Sequence, residues 1–521
     1  MTGARATHRR GGVVRSADAR YLMDMRNASS VALADVAGLD VDGLGLDAQP
    51  LGVRVFERLR GAILDGGWAA GARLPSSRVM ARDLGVSRNT VEWAYAQLVA
   101  EGYVLRRQGA GSYVADAPPP RDRPPQTHPT RVQVTPPRKL SSWARALSTY
   151  PGHHGISLGG AFTPSLPSLE FFPRAVWGRL MREAMRRPGP DLWAYGASNG
   201  LPQLRAAIAA QVAAARGVRC SADQVVVATS TQQALELAAR LVTEPGDTAW
   251  VEDPGYVPSR LGLMAAGLKT CGVPIDAEGL SLEAGLAAAP HARLAVVTPS
   301  HQYPLGVEMS QARREALLAW AHDREAWILE DDYDGDYRYT GRPLAALQAM
   351  DRGSRVIYIG TFNKTLFPGI RTAYAVVPDD LVQPMIDAKH VADGHNATLA
   401  QAALAEFISA GHFAAHLRRT RAAYDERRLA LIAALGDLGD LVRIGPSDAG
   451  MHLAVHLTFP CDDRQIAEAC GRRGVTVRAL SAYRLAPGPP GLVLGYACAA
   501  PSRIRSAMAV VRSAIEAAAA G

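Results

Sequence analysis

Residues 115–140 read ADAPPPRDRPPQTHPTRVQVTPPRKL, with eight prolines. Proline fixes φ and offers no backbone N–H, so a stretch this dense enters neither a helix interior nor a central strand. It reads as a semi-rigid extended spacer, and the chain on either side of it must fold as separate bodies. At roughly 150 residues per domain, 521 residues suggest about three units. The expected division is an N-terminal extension over 1–50, a compact unit over 51–116, a Pro-rich linker over 117–145 and a large unit over 146–521. A smaller lobe is expected from about residue 440. The extension has no assigned role, and Met23 and Met25 would each serve as a later start.

The chain is 48% hydrophobic and 20% charged, which excludes a disordered or fibrous protein. No apolar run reaches the roughly 18 residues of a membrane-spanning helix. The basic start MTGARATHRRGG has no apolar stretch behind it, so no secretory signal is read. Five scattered cysteines without metal-site spacing read as reduced thiols. The expectation is a cytoplasmic protein with no membrane partner and no metal.

Charge is unevenly placed. Residues 51–140 carry fourteen Arg or Lys against seven acids, whereas residues 1–50 balance at zero and 141–521 at +1. A net charge of +8 lodged almost wholly in one short stretch points to a nucleic-acid-binding end joined to something else.

Within that stretch VRVFERLRGAIL (53–64) has apolar residues at helical spacing. SSRVMARDLGV (76–86) and SRNTVEWAYAQLVAEG (87–102) are two more helical patterns, each opening on a serine suited to an N-cap. Two β-type runs then flank Gln108-Gly109-Ala110-Gly111, a hairpin signal. Helix, helix-turn-helix and hairpin make a winged helix-turn-helix. In such a unit the start of the second helix of the pair reaches base edges, here Ser87-Arg88-Asn89-Thr90. Arg suits guanine and Asn adenine, while Ser and Thr serve bases or phosphates. Arg78 is placed to hold phosphate, and Arg106 and Arg107 flank a slim, glycine-tipped wing.

With LPSSR (74–78), LGVSRNTV (84–91), LVAEGYV (98–104) and GAGSYV (109–114), residues 51–116 resemble the GntR-type winged helix domain of bacterial transcription regulators. The resemblance implies operator DNA as partner, contacted by Arg78, Ser87, Arg88, Asn89 and Thr90 with Gly109 and Gly111 in the wing.

After the linker, QVVVAT (224–229), TAWVED (248–253), RLAVVTPS (293–300), AWILEDD (326–332) and VIYIGTF (356–362) are apolar on both faces. That is the pattern of buried parallel strands with crossover helices between them. Only four of the 57 basic residues are lysine, so chemistry that needs a primary amine has few candidates. Lys364 follows the strand VIYIGTF, at the end where open α/β sheets bind ligands. A desolvated lysine there can form a Schiff base with a carbonyl, including that of pyridoxal phosphate. Thr361 and Arg371 offer a hydroxyl and a bidentate cation to a phosphate. Ser230, Thr231 and Gln232 open a helix after QVVVAT, a natural anion site. Asp331 and Tyr333 end another strand, where they could meet a pyridinium nitrogen and a phenolate oxygen.

The segment from about residue 150 resembles fold-type I pyridoxal-phosphate aminotransferases of class I/II. Carrying motifs include YGASNGLPQLR (195–205), STQQAL (230–235), EDPGY (252–256), TPSHQYPLG (298–306), EDDYD and GTFNKTLFPGIR (360–371). Joined to the GntR-type head, it resembles the MocR/GabR subfamily of regulators. The resemblance implies pyridoxal 5'-phosphate as cofactor, in Schiff-base linkage to Lys364. It implies Asp331 on the ring nitrogen, Tyr333 on the ring oxygen and Tyr256 stacked on the ring. Ser230, Thr231, Gln232, Thr361 and Arg371 would hold the phosphate, with Tyr195 reaching the partner subunit's site in a homodimer. Four departures stand out. Tyr303-Pro304-Leu305-Gly306 replaces Asn-Pro-Thr-Gly, Thr229-Ser230-Thr231 replaces Ser-Gly-Thr at the phosphate turn, Asn363 replaces the serine before the lysine, and the arginine that clamps a substrate carboxylate aligns with Val493. Arg478 and Arg484 remain as substitutes. The expectation is a regulator that senses the cofactor or an amino compound reactive with it, not a productive enzyme. The rival reading is a working aminotransferase with an accessory DNA-binding head.

Overall fold

The computed structural model describes residues 49–116, 139–148, 160–187, 190–341 and 344–520. Nearly all of the N-terminal extension and most of the linker lie outside them. The chain divides into two compact units between residues 137 and 138.

In the first unit the helices are α1 (Leu51–Leu64), α2 (Ser77–Asp83) and α3 (Arg88–Ala100). Strands β1 (Val104–Arg107) and β2 (Gly111–Val114) pair antiparallel. The two serines foreseen as caps perform that role: Ser76 Oγ accepts the Val79 N–H and Ser87 Oγ the Thr90 N–H. Apolar faces of the three helices and the hairpin close on Val55, Leu59, Trp68, Val91, Tyr95 and Leu98. The fold is the anticipated winged helix-turn-helix.

The second unit opens with a short helix, α4 (Ser142–Ser148), and contains α5 (Pro202–Arg216), β3 (Val225–Ala228) and α6 (Thr231–Val242). Next come β4 (Thr248–Asp253), α7 (Val257–Ala265), β5 (Lys269–Asp276), β6 (Gly279–Leu280), β7 (Leu294–Val297), β8 (Trp327–Asp332), β9 (Val356–Thr361) and β10 (Ala373–Val376). The strand order is β3-β10-β9-β8-β7-β4-β5-β6. From β9 through β8, β7 and β4 to β5 the pairing is parallel, as the doubly apolar runs required. β10 is an addition to that reading. The short run AYAV lies antiparallel between β9 and β3, so β3 and β9 point the same way without touching.

The small lobe is a four-stranded antiparallel sheet of β11 (Val442–Ile444), β12 (His452–Leu457), β13 (Arg478–Ala479) and β14 (Gly491–Gly495), ordered β11-β12-β14-β13. It is flanked by the C-terminal helix α8 (Pro501–Ala520). The lobe is not built from the C-terminal stretch alone, since Ala161 and Phe162 bridge to Val475 and Gly495. Among the described residues no helix is long and apolar enough to cross a membrane.

Candidate ligand cavity and nucleic-acid interface

Because β3, β4, β7, β8 and β9 share one direction, their carboxyl ends meet on one edge, where polar loops replace the apolar runs. Those ends enclose a cavity of about 410 Å³. Lining it are Thr231 and Gln232 from the start of α6, Tyr256 after β4, Asp331 from β8 and Tyr333 just past its end, and Thr361, Lys364 and Arg371 at and after the end of β9. Eight of the ten cofactor residues expected from sequence are thus gathered around one space. Ser230 lies just behind it, buried, with its hydroxyl spent on the N–H of Gln233 at 3.2 Å. Tyr195 is not part of this space. It is 97% exposed and meets His395 edge-on at 6.0 Å.

Backbone geometry shapes the rim. Arg371 sits at φ 48°, a left-handed conformation uncommon outside glycine, two residues before the start of β10. Gly255 allows the turn into Tyr256, since a Cβ there would lie 2.2 Å from the Glu252 carbonyl oxygen. Tyr256 is fixed by Gln232, whose Nε2 donates to its hydroxyl at 2.9 Å. The small lobe grips the same turn: Gly255 N–H donates to the Tyr483 carbonyl at 3.1 Å, and Asp253 accepts the N–H groups of Leu485 and Ala486.

The electrostatics favour a cationic nitrogen heterocycle in this space. Desolvation pushes Asp331 up to about 7, with the charges of Asp332 and Glu252 adding to the rise and Lys364 opposing it. Its Oδ1 is buried without a hydrogen-bond partner, and the residue lines the cavity. Lys364 is pushed below the ordinary lysine range by burial, against the pull of Asp331 and Asp334. A lysine so placed has a larger share of free, nucleophilic amine. The residues present therefore fit a pyridoxal group: an amine, a buried carboxylate, an aromatic lid at Tyr256, and an anion-binding turn with Arg371.

Sequence reasoning missed the wall behind Tyr333. Tyr303, standing where an asparagine was expected, packs edge-on to Tyr256 at 5.6 Å and to Tyr333 at 5.7 Å. Its hydroxyl bonds that of Tyr483 at 3.0 Å. Burial raises Tyr303 well above the usual tyrosine range, and the nearby Arg478 cation offsets part of the rise. Val493 is fully buried on β14, and its partner across the ladder to β13 is Arg478. Arg484 instead donates weakly to the Pro489 carbonyl and packs on Gly488. Of the two arginines left as substitutes, Arg478 is the one near the tyrosine wall. Deeper still lie His301, Asp334 and His452, all buried, and Glu252, held by Thr298 and Gln302. The motifs TPSHQYPLG and EDDYD contained most of these residues, but nothing local marked their roles.

In the first unit, Arg88 and Asn89 are exposed at the start of α3 and Arg78 is exposed on α2. Ser87 caps that start, and its hydroxyl also bonds Thr90 Oγ1 at 2.8 Å, so the two hydroxyls serve each other. Gly109 and Gly111 turn the wing at φ 73° and 109°. A residue not singled out from sequence, Glu92, sits among the arginines. It accepts from Ser77 Oγ at 2.5 Å and from Arg106 at 2.8 Å, and lies 3.7 Å from Arg88. The Ser77 hydrogen bond, with Arg106 and Arg88, holds its carboxyl below the usual range.

Two family models match the chain: bacterial regulatory proteins of the gntR family over residues 51–114, and aminotransferase class I and II over residues 174–519. The probable rhizopine catabolism regulatory protein MocR of Rhizobium meliloti is 40% identical over 89% of this chain and 94% of its own length. The pyridoxine biosynthesis transcriptional regulator PdxR of Corynebacterium glutamicum is 30% identical over 89% of this chain and 95% of its own. Among solved structures, LysN, an α-aminoadipate aminotransferase of Thermus thermophilus complexed with N-(5'-phosphopyridoxyl)-L-leucine, superposes with TM-score 0.66 at 25% identity. It covers 73% of this chain and 100% of its own.

Proposed function

Since the chain belongs to the MocR-type branch of the GntR-family transcription regulators, with a winged helix-turn-helix head and an aminotransferase class I and II domain, we propose that it binds operator DNA and responds to pyridoxal 5'-phosphate. The observation that carries this is the pairing of Lys364 with Asp331, whose buried Oδ1 lacks a partner, at the strand ends. Lys364 supplies the amine, Asp331 the counter-charge for the ring nitrogen, Tyr333 a hydroxyl for the ring oxygen and Tyr256 a stacking face. Thr231, Gln232, Thr361 and Arg371, backed by Ser230, hold the phosphate, and Tyr195 of the partner subunit completes that shell in a homodimer. The group supplies an aldehyde that condenses with a primary amine, releasing water.

The buried Val493 removes a bidentate carboxylate clamp from β14. That favours the cofactor itself, or an unusual amine, as the signal over turnover of ordinary amino acids, and the name of the Corynebacterium relative is in keeping with it. Arg88 and Asn89 read base edges, with Arg78 and the wing on the backbone. The protein acts in the cytoplasm. A ligand shifts the heads only through differential affinity for two arrangements of them.

The test is binding to the DNA upstream of its own gene at fixed salt, with and without pyridoxal phosphate, using wild type and Lys364→Ala. A cofactor-dependent change in affinity that disappears in the variant supports the proposal. Specific binding indifferent to the cofactor in both proteins refutes cofactor sensing, and the absence of specific binding returns the enzyme reading to the front.

A further inference from the structure

Tyr333 has a support that none of the aligned motifs assigns. His301, four residues past the end of β7, places its Nδ1 2.9 Å from Tyr333 Oη and 3.1 Å from Asp334 Oδ2. The Tyr333 hydroxyl donates to the His301 carbonyl at 3.0 Å. Tyr333 has one proton, for which the His301 carbonyl and the Asp334 carboxylate are acceptors in the absence of a ligand, and an ionised Asp334 can only accept. With Nδ1 as the donor, its hydrogen is shared between Tyr333 and Asp334, and the Tyr333 hydrogen is left for another acceptor. This tautomer leaves Nε2 as a bare lone pair, and Nε2 is the His301 atom that is buried without a partner. The ring has no room to turn away. A Cβ on Gly450 would lie 1.9 Å from its Cε1, and one on Gly306 would lie 3.2 Å from Nε2.

We propose that Asp334 and His301 form a positioning relay that makes Tyr333 an acceptor from behind, so that its own proton is delivered to the ring oxygen of a bound pyridoxal phosphate. The inference rests on reading the cavity as that cofactor's site. The relay supplies from behind the ring what Tyr303, in place of an asparagine, does not supply from the side. A hydroxyl that accepts an N–H hydrogen bond is polarised into a better donor. Stabilising negative charge on the ring oxygen favours the unprotonated form of the Schiff base with Lys364, so the relay lowers the pH at which that Schiff base loses its proton. The charged or titratable groups facing Tyr333 and His301 are Asp334, Asp331, Glu252, Tyr303, Lys364 and His452. Of these, Asp334 also lies within hydrogen-bond reach of the Tyr333 hydroxyl.

The experiment is a pH titration of the visible absorption of the full chain loaded with pyridoxal phosphate, with cofactor affinity measured in parallel. In His301→Leu the midpoint is expected to rise by about one pH unit, the scale of one lost hydrogen bond. His301→Asn keeps an amide N–H near the Nδ1 position and is expected to stay close to wild type, a rescue that a merely space-filling histidine would not show. Gly450→Ala displaces the ring without removing it. It is expected to move the midpoint upward, and it carries the test if His301→Leu does not fold. An unchanged midpoint in folded, cofactor-loaded His301→Leu or Gly450→Ala overturns the relay. A wild-type protein that takes up no cofactor overturns the site reading itself, a separate and recognisable failure.

Discussion

Arg216 holds Asp332 from behind the cavity: Nε lies 2.7 Å from Oδ2, both side chains are buried, and the Tyr358 hydroxyl donates to the same oxygen at 2.7 Å. Successive side chains on a strand point to opposite faces. Along β8, Glu330 and Asp332 therefore turn away, Glu330 onto the N–H groups of Leu347 and Gln348 and Asp332 onto Arg216. Asp331 and Tyr333 face the ligand space. The run EDDYD thus divides, with Glu330 and Asp332 bonded to the scaffold and Asp331 and Tyr333 lining the cavity.

Removing one partner of that ion pair leaves an uncompensated buried charge. Arg216 also donates to the Leu344 carbonyl and to Ser300 Oγ, so Arg216→Ala is expected to cost about 3–5 kcal/mol in chemical denaturation. Arg216→Met with Asp332→Leu should recover a large part of the loss, because replacing both charges removes the stranded one. A single variant within about 1 kcal/mol of wild type would contradict the structural role.

Asp331 is predicted to trade stability for ligand binding. Its folded pKa, about 7, is raised from 3.8, so the folded chain prefers it protonated. That stabilising contribution is fully present below the unfolded pKa and is lost as pH climbs through the folded one. Without cofactor, stability should fall between about pH 4 and pH 7 and stay low above it. Asp331→Asn should then be more stable than wild type at about pH 8, by about 1–3 kcal/mol, and bind pyridoxal phosphate at least about tenfold more weakly. Glu252 and Glu330, also raised to about 7 by burial, keep part of the slope in the variant. Urea titrations at the two pH values decide it; an Asn variant less stable than wild type at the higher pH refutes the assignment.

Asp331 and Tyr333 were readable because two facts in the sequence coincide: an apolar strand ends there, and a spacing of two puts both on one face. Lys364 was readable because lysine is scarce and this one follows a strand. The His301 relay was not, since its parts come from the β7 loop, the end of β8 and the β12 hairpin, with Gly450 as cradle. Such a constellation exists only after folding. β10 escaped because four residues, AYAV, carry too little periodicity to stand out. The placing of Arg478 beside Val493 depends on cross-strand register, which neither segment encodes alone. Tyr195 lies outside its own chain's cavity, so no local signal in this chain could place it there.

On the head, Arg88 is exposed at the start of α3, lightly held by Ser77 Oγ at 3.3 Å and Glu92 at 3.7 Å. Arg88→Ala is predicted to lower specific operator affinity by about 1–3 kcal/mol while leaving the cofactor absorption unchanged. Mobility shift beside a cofactor titration separates the two functions. Unaltered discrimination between operator and scrambled DNA would remove Arg88 from the recognition set.

Glu92 has the opposite expected sign. Its carboxylate sits between Arg88 and Arg106, one on the recognition helix and one on the wing, and neutralises charge that would otherwise face phosphate. Surface ion pairs of this kind are worth only about 0–1 kcal/mol to folding, so Glu92→Gln should barely change stability. It should tighten DNA binding several-fold at low salt, and the gain should be similar for operator and random sequences, because phosphate attraction carries no sequence information. The slope of log affinity against log salt should steepen by up to about one unit as one more phosphate contact releases its counterion. Fluorescence anisotropy over a salt series measures both quantities. A variant that binds more weakly than wild type would mean instead that Glu92 holds Arg88 and Arg106 in the conformations that read DNA, and that its hydrogen bond from Ser77 is part of the recognition surface.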